Sequence, residues 1–517
     1  MLTKSLRLLA FALALGSPLA AQSVHYTLRI DDPVQRVAVV TARFPTAGKD
    51  ELLLFLPTWS PGFYRVESYA RNVLELRAAS ADGVALAVEQ PTEQRWRIGT
   101  RGAAEVVATY SLRCEQRSVT GNQIAPSFAV LCGPPTFIAE VGALARPHDV
   151  RVELPEGWRE VATALRAHPD GAPRHYRAAD YDVLVDAPLV LGAIETSAFE
   201  VDGARHEWAV FGSPGEFDHA LLVKHLQPIA TEICHSFGVV PFERYVFLAG
   251  FRGANGGLEH LDSTLVSLHP RQTADDAGLL SFLAHEYAHA FNVKRLRPVE
   301  LGPFDYESPP RTANLWISEG LTTWIGDLAV VRSGAIGVDA WLAMVSHHIG
   351  ALQSSPGRAK QTLAEASLGV WTTSTSGVGG DPEATISYYV KGPVVGFALE
   401  ARLRTATEGA HGLDELLRRA YARYSGERGF TTEQFEALAD EIAGADQSAF
   451  FERAIRSTAE LDYSEALQWL GLRFASTSGD ARARERWKLE IDPEATAAQA
   501  EHLRRLLLPT PKPSSKR

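Results

Sequence analysis

The sequence HEYAHAFNVKRLRP at residues 285–298 begins with an HExxH motif. Two aspartates precede the motif, and apolar residues flank it at helical spacing, which predicts an amphipathic helix with a capped start. On a helix, His285 and His289 turn both imidazoles to one side, where they can bind Zn²⁺. Glu286 lies beside them, where it can accept a proton from an attacking water molecule. A chance match is the alternative, but only roughly 0.03 such matches are expected in a chain of this length.

A catalytic zinc ion needs a third protein ligand as well as an open position. Residues 311–333 carry apolar side chains at helical spacing, and Glu319 is the acidic residue in the apolar stretch NLWISEG, residues 314–320. A buried carboxylate without a partner is costly, so we assign Glu319 as the third ligand. A surface glutamate on an amphipathic helix is the alternative. We expect Asp327 to face solvent or to support the site indirectly, and Thr323 could also give such support.

A glycine-rich segment, GGLEH at residues 256–260, lies between two β-like runs. Gly256 and Gly257 allow a backbone to approach a ligand closely, and a strand edge here could pair with an extended peptide. The Glu259 carboxylate could hold the ammonium group of that peptide. Taken alone, such a segment is more typical of a turn.

A pair of tyrosines precedes another predicted helix, in the segment SYYVKGP at residues 387–393. Pro393 suits the first turn of a helix over Val394–Arg404, so Tyr389 is expected just before that helix starts. A phenol at this position can donate a hydrogen bond to an oxyanion. Taken alone, two tyrosines before a helix more often belong to a hydrophobic core.

Four segments, GGLEH, HEYAHAFNVKRLRP, LWISEG and YYVKG, occur in this order along the chain. Together they resemble the glycyl aminopeptidase family of zinc metallopeptidases, which are HExxH gluzincins that often carry a PDZ domain. The N-terminal segments Leu56–Tyr64 and Tyr69–Val73 are similar to the β domain of the same family. The resemblance covers residues 24–475.

The resemblance implies a multidomain fold, with an N-terminal all-β domain followed by a mainly α-helical, thermolysin-like catalytic domain. It implies one zinc ion per chain, bound by His285, His289 and Glu319. In this family pattern Glu286 is the general base.

By the same resemblance, Glu259 recognises a free amino terminus beside Gly256 and Gly257, and Tyr389 stabilises the tetrahedral oxyanion. The implied function is that of an aminopeptidase, which hydrolyses N-terminal residues, favouring Gly or Ala, through a zinc-activated water. One alternative is a zinc endopeptidase of the same fold, which would also cleave N-acetylated peptides. The other is a non-catalytic periplasmic factor that binds peptides or assists assembly.

The chain is expected to have four parts. Residues 1–21 have a basic start, an apolar core and small residues before Gln22, which is the pattern of a signal peptide. The β-sandwich-like domain is expected over residues 22–200 and the catalytic domain over residues 201–475. Residues 476–517 are too few for a PDZ domain and are expected to form a C-terminal extension.

Composition limits the partners of the protein. Lys and Arg number 51 against 62 Asp and Glu, the formal net charge is −11, and no stretch is dense in basic residues. We therefore expect no nucleic-acid partner. After the first two dozen residues, no apolar run reaches the roughly 18–20 residues that span a bilayer. With the signal peptide, this pattern predicts a periplasmic or secreted protein that acts on peptides.

Three further expectations concern local structure. Cys114 and Cys132 could form a disulfide in an oxidising compartment, or these two and Cys234 could all be inert buried thiols. The composition of Gly350–Glu383, rich in Ser, Gly and Thr, predicts a long surface loop. The prolines and serines of Leu508–Arg517 predict a loose tail.

Overall fold

The computed structural model describes residues 22–213, 215–252, 256–373, 380–476 and 483–512. The predicted signal peptide, residues 1–21, lies outside the described residues. In the parts of the chain that are described, no helix combines the length and the apolar character needed to cross a bilayer.

The N-terminal region is built from short strands, as predicted. These are β1 (Val24–Arg29), β2 (Val37–Pro45), β3 (Glu51–Phe55), β4 (Val73–Ser80), β5 (Ala85–Leu86), β6 (Val88–Thr92), β7 (Arg95–Gly99), β8 (Glu105–Arg113), β9 (Gln123–Ile124), β10 (Phe128–Leu131), β11 (Ala139–Glu140), β12 (His148–Glu153), β13 (Glu160–Ala162), β14 (Arg166–Ala167), β15 (His175–Ala178) and β16 (Leu189–Gly192). One short helix, α1 (Tyr181–Val185), precedes the last of them.

These strands pack as layers around one core. The largest sheet has the strand order β14-β15-β12-β1-β2-β8-β4-β5, and β3 and β7 belong to a second sheet. Alternate residues of β2 and β8 are buried, because successive side chains of a strand point to opposite faces. The buried residues of both sheets share one hydrophobic cluster, which confirms the predicted all-β region.

A third group of strands supports the catalytic region. These strands are β17 (Glu195–Val201), β18 (Ala204–Phe211), β19 (Arg244–Phe251), β20 (Gly256–Glu259) and β21 (Ser263–Leu268). Their order in the sheet is β17-β18-β19-β21-β20, with β18, β19 and β21 parallel and β20 antiparallel to β21. Among the described residues, no strand pairs with the outer edge of β20.

Helices dominate the rest of the chain. They are α2 (His219–Phe237), α3 (Ala277–Ala288), α4 (Thr322–Arg332), α5 (Val338–Gln353), α6 (Leu363–Thr373), α7 (Tyr388–Ala406), α8 (Leu413–Tyr424), α9 (Thr432–Ala443), α10 (Ser448–Phe451), α11 (Ser464–Leu470), α12 (Ala483–Arg486) and α13 (Ala497–Leu506). Shorter 3₁₀ and π segments are Pro33–Gln35, Tyr69–Asn72, Val299–Leu301, Trp316–Leu321, Pro356–Ala359 and Glu452–Arg456. The predicted helical half is thus confirmed.

The prediction of a long loop over Gly350–Glu383 is wrong. The helix α5 continues to Gln353, and α6 then occupies Leu363–Thr373. Leu363, Ala366 and Val370 are buried at helical spacing, so apolar packing outweighs the turn-rich composition of the segment. Residues 374–379 of the predicted loop lie outside the described residues.

The C-terminal extension packs against the helical core. Its strand β23 (Leu489–Ile491) pairs with β22 (Leu472–Phe474), and Leu503 and Leu506 of α13 are buried. The prediction of a loose tail is wrong at Thr510, whose backbone N–H donates to Glu232 Oε2 over 2.9 Å. Leu489, Leu503 and Leu506 of the extension belong to the same hydrophobic cluster as the buried residues of the catalytic helices.

The three cysteines are free thiols buried in the fold. The Cys114 thiol donates to the Leu112 carbonyl and the Cys132 thiol to the Val119 carbonyl. The possible disulfide between Cys114 and Cys132 is therefore absent. Burial raises the pKa of each thiol to about 12, which keeps the thiols protonated and unreactive at neutral pH.

Candidate active site

The HExxH motif occupies the last turn of α3, as the sequence predicts. The helix is capped by Asp276, whose carboxylate accepts a hydrogen bond of 2.7 Å from the Leu279 N–H. Such a cap satisfies one of the unpaired donors at a helix start. His285 and Glu286 lie in the last turn, and His289 follows the helix directly.

Glu319 lies in the π-helical segment Trp316–Leu321, which runs directly into α4. All six residues of this segment are buried. Gly320 lies against Gly392 of α7 so closely that a side chain on either glycine would overlap the backbone of the other. The two glycines therefore allow the start of α7 to approach Glu319. Single-turn π segments inside helices are frequent at functional sites.

Three ligand atoms converge at the ends of these elements. His289 Nε2 and His285 Nε2 lie 3.2 Å and 3.6 Å from Glu319 Oε2, and the two Nε2 atoms are 2.9 Å apart. The residues are buried, and their ligand atoms all lie within 4.8 Å of one another. Burial opposes ionisation of Glu319, but the two histidines hold the pKa of its carboxyl well below the usual range.

Hydrogen bonds orient both imidazoles for metal binding. His289 Nδ1 lies 2.9 Å from the Asn292 carbonyl oxygen, which can only accept, so Nδ1 carries the proton. His285 Nδ1 lies 3.2 Å from Thr323 Oγ1, whose hydroxyl donates to the Glu319 carbonyl, so this Nδ1 is also the donor. In the neutral form of each imidazole, the Nε2 lone pair is then free for a cation. Two neutral imidazoles and one carboxylate are a donor set that fits Zn²⁺.

Of the two residues considered as possible supports of the site, Thr323 and Asp327, only Thr323 contacts a predicted ligand. Thr323 assists the site through His285, as predicted. Asp327 does not face solvent, since it is buried and accepts hydrogen bonds from Ser281 and from His348 Nε2. Asp327 thus stabilises the packing of α3, α4 and α5 rather than a solvated surface.

Glu286 points into the cavity beside the three ligands. Burial raises its pKa to about 8, with the negative charges of Glu259 and Glu319 adding to the shift against the opposing charge of His289. Thr264 Oγ1 donates to Glu286 Oε2 over 3.3 Å. Gly257 faces the Glu286 carboxylate, and a side chain on Gly257 would overlap it. Its place beside the three ligands lets this carboxyl accept a proton from a water molecule in the cavity and return it.

Glu259 ends the edge strand β20 and lines the same cavity. Its side chain is buried, and Oε1 has no hydrogen-bond partner among the described residues. Burial raises its pKa to about 7, against the opposing charge of His289. A buried carboxylate oxygen without a partner is costly, so this oxygen suits a cationic group of a ligand.

Tyr389 donates from Oη to Glu319 Oε2 over 2.8 Å. It lies in the first turn of α7, because that helix begins at Tyr388 after the capping residue Ser387. The prediction that the helix covers Val394–Arg404, with Tyr389 just before its start, is therefore wrong, since α7 already includes Tyr389 and Pro393. Tyr388 and Lys391 of the first turn are buried, and packing of α7 against the π-helical segment outweighs the hydrogen bond that the proline removes.

The cavity has a volume of about 560 Å³ and brings together all the site residues that the sequence predicts. Their shared surface is formed by Gly256, Gly257, Glu259, His285, Glu286, His289, Glu319 and Tyr389. The N-terminal domain adds two segments that the motif analysis missed, Gly62–Phe63 and Arg117–Val119. Similarity of the first segment to the family pattern was an available signal, whereas the second carries no motif.

Two family models match the chain. Residues 25–193 match the Peptidase M61 N-terminal domain, and residues 278–395 match the M61 glycyl aminopeptidase domain. The chain belongs to the M61 peptidase family. This M61 member is a metallopeptidase of the aminopeptidase type, and the predicted resemblance is confirmed. No curated protein matches the chain.

Solved structures share the fold of this M61 enzyme. An aminopeptidase N family protein from Idiomarina loihiensis is 25% identical with a TM-score of 0.82, over 87% of this chain and 78% of that one. A variant M1 zinc metallopeptidase from Deinococcus radiodurans, bound to the substrate Tyr-Ser-Ala, is 14% identical with a TM-score of 0.55. That match covers 86% of this chain and 95% of the other, and it shows a common fold.

Proposed function

We propose that this M61 enzyme is an exported zinc aminopeptidase that removes small N-terminal residues, glycine and alanine above all, from peptides. One zinc ion per chain would be held by His285, His289 and Glu319. The observation that carries the proposal is the unpaired, buried oxygen Glu259 Oε1 in the same cavity as these ligands. A free amino terminus is the cation that suits it.

The shape of the cavity supports removal of single residues rather than internal cleavage. Gly62 lies against the Glu259 carboxylate, with no room for a side chain between them. Phe63 lines the cavity beside it, and Tyr64 follows as a buried residue. The loop from the N-terminal domain thus covers the end of the cavity at Glu259. Within the described residues, this loop therefore lies where a peptide would have to continue beyond a first residue held at Glu259.

Each side chain of the site has a different role in the reaction. When bound, zinc would polarise the scissile carbonyl and make water more acidic. Glu286 accepts a proton from the attacking water and returns one to the leaving amine. Tyr389 donates a hydrogen bond to the oxyanion that develops at the carbonyl. Glu259 fixes the amino terminus, so the first peptide bond is the one brought to these groups.

Two finer parts of the proposal concern the preferred N-terminal residue and export. The preference for glycine and alanine follows the description of the family as glycyl aminopeptidases and the crowded end of the cavity near Phe63. Export follows from the signal-peptide pattern of residues 1–21. N-terminal sequencing of the protein recovered outside the cytoplasm should find Gln22 or a near neighbour as the first residue.

The decisive experiment compares blocked and free amino termini. The chain from Gln22 onward, loaded with zinc, is incubated with a peptide mixture and with the same mixture after N-acetylation, and both are followed by mass spectrometry. We expect stepwise loss of single N-terminal residues, Gly and Ala first, in the free set alone. Glu259→Gln should lose most of this activity, and Glu300→Gln, outside the cavity, should keep it.

Other outcomes would contradict the proposal. Internal cuts in both peptide sets would favour the endopeptidase, which has no need for a free amino terminus. No cleavage in either set, with zinc confirmed in the sample, would favour the non-catalytic binding protein.

A further inference from the structure

The edge strand β20 determines the direction in which an extended peptide can lie in the cavity. Glu259 ends the strand, Gly256 begins it, and both line the cavity. A peptide that places its amino group at Glu259 and pairs with the free edge of β20 therefore runs antiparallel to it, toward Gly256. With a rise of about 3.4 Å per residue, the strand covers about 10 Å, which is the length of an extended tripeptide.

A loop of the N-terminal domain forms the far end of this path. Val119 Cγ1 lies 3.9 Å from the position that a Cβ of Gly256 would take. The neighbouring residues Arg117 and Ser118 line the same cavity. Arg117 is exposed and has no carboxylate partner among the described residues. Its guanidinium is thus available to a ligand at the point where a tripeptide would end.

A second arginine lies behind this loop. Arg252 is only 7% exposed, and its Nη1 donates to the Ser118 carbonyl over 3.4 Å. Its Nε and Nη2 atoms are buried without a partner, and no carboxylate within the described part of the chain pairs with it. An unpaired buried guanidinium is costly. It adds positive potential that an anion bound at the loop would relieve.

Acidic and basic side chains therefore lie at opposite ends of the cavity. Three carboxylates, those of Glu259, Glu286 and Glu319, occupy the end where the amino group and the metal belong. Arg117 lines the cavity at the other end, and Arg252 lies behind the loop that carries Arg117. A short peptide with free termini carries the complementary pair of charges, because its ammonium and carboxylate groups lie at opposite ends of the chain.

We propose that Arg117 binds the C-terminal carboxylate of the substrate, so that the enzyme is selective for tripeptides with a free carboxyl terminus. This inference rests on the proposed aminopeptidase function and adds the substrate class. The planar guanidinium of Arg117 offers two parallel N–H donors to a carboxylate, and Arg252 reinforces the positive field while holding the backbone of the loop.

The test uses matched peptides that differ only at the C-terminus. The zinc-loaded enzyme hydrolyses Ala-Ala-Ala as the free acid and as the C-terminal amide, and alanine release is measured under the same conditions. We expect kcat/KM to be about 10-fold higher for the acid, the ratio that a charge-assisted contact provides. The acid-to-amide ratio should fall toward 1 for Ala₆, whose carboxylate lies beyond the loop.

The arginine variants make the test specific. Arg117→Gln should reduce the acid-to-amide ratio of the tripeptide to about 1. Arg113→Gln removes a nearby exposed arginine that does not line the cavity, and it should keep the ratio of the unmodified enzyme. A ratio near 1 in the unmodified enzyme, or a ratio that survives Arg117→Gln, would overturn the inference while alanine release still supports the aminopeptidase. No alanine release from any peptide would refute the proposed function and this inference together.

Discussion

Tyr64 of the N-terminal β domain donates a hydrogen bond to Glu319 of the catalytic domain, with 3.2 Å between Tyr64 Oη and Glu319 Oε1 across 255 positions of sequence. The other carboxylate oxygen, Oε2, faces both histidines and accepts from Tyr389. Glu319 is thus oriented from both domains. The N-terminal domain therefore contributes to the metal site as well as to the cavity wall.

Removal of this hydroxyl should weaken metal binding. Tyr64→Phe should lower zinc affinity by about 10-fold, because partners that orient a metal ligand commonly contribute this much. Competition with a chromogenic chelator measures the change. Tyr69→Phe is the matched control, since Tyr69 is buried nearby but its hydroxyl contacts Ser60 instead of Glu319. Equal affinity in both variants would show that the Tyr64 contact is unimportant for zinc.

Loss of the Glu319 carboxylate should affect the metal more strongly. Glu319→Ala removes one of three converging ligand atoms, so the zinc-to-protein ratio after dialysis should fall well below that of the unmodified enzyme. Elemental analysis of the dialysed protein measures the ratio. The Glu300→Gln variant, whose altered side chain contacts Thr312 outside the cavity, should retain its zinc. Full zinc content in Glu319→Ala would remove this residue from the ligand set.

Substitution of Glu286 should slow catalysis strongly without releasing the metal. Glu286→Gln keeps the size of the side chain but cannot accept the proton, so kcat should drop by roughly 10³-fold while zinc remains bound. Steady-state hydrolysis of an alanine peptide, together with elemental analysis, checks both statements. Near-normal turnover in a zinc-loaded sample would exclude Glu286 as the base.

Tyr389 should act mainly on the rate of the chemical step. Tyr389→Phe should reduce kcat by roughly 10²-fold and leave KM little changed, because the hydrogen bond to the oxyanion forms as the transition state develops. Since Tyr389 also contacts Glu319, the zinc content of the variant must be measured in parallel. A rise in KM with unchanged kcat would indicate a role in ground-state binding instead.

Asp186 lies at the contact between the two domains and makes the free energy of unfolding depend on pH. Its carboxylate accepts hydrogen bonds from Lys294 Nζ and from the Leu261 N–H, both at 2.7 Å. Burial opposes its ionisation, but Lys294 and His260 lower the pKa of Asp186 to about 2 from an ordinary value of 3.8. Between pH 2 and pH 3.8, the unfolded chain therefore binds more protons than the folded protein does. The stabilising contribution, about 2 kcal/mol, is complete above pH 4 and is lost as the pH falls through 2.

The corresponding test compares Asp186→Asn with the unmodified protein by urea unfolding. The variant should be less stable at pH 6, and the difference in the free energy of unfolding should shrink at pH 3. Asp31→Asn, at an exposed pair with Arg29, serves as the control and should show little difference at either pH. A difference for Asp186→Asn that stays constant with pH would mean that its charge does not contribute.

Local sequence accounts for much of the catalytic site. The spacing of His285 and His289 predicts two imidazoles on one helix face, and the structure places them so. Glu319 could be assigned because a lone acid in an apolar stretch needs a partner. The start of α7 could not be predicted, because Pro393 is a strong local signal for a helix start and the packing of the first turn against the π-helical segment is not visible in the sequence.

Periodicity and spacing within short segments were enough to predict the order of a β-rich and a helical part, the HExxH helix and the residue types that can bind zinc. The packing of the two domains is what brings Tyr64 to Glu319, Gly62 to Glu259 and Arg117 to the other end of the cavity. Each of these contacts joins residues more than 100 positions apart. Their proximity depends on how the two domains pack, and no local pattern encodes that packing.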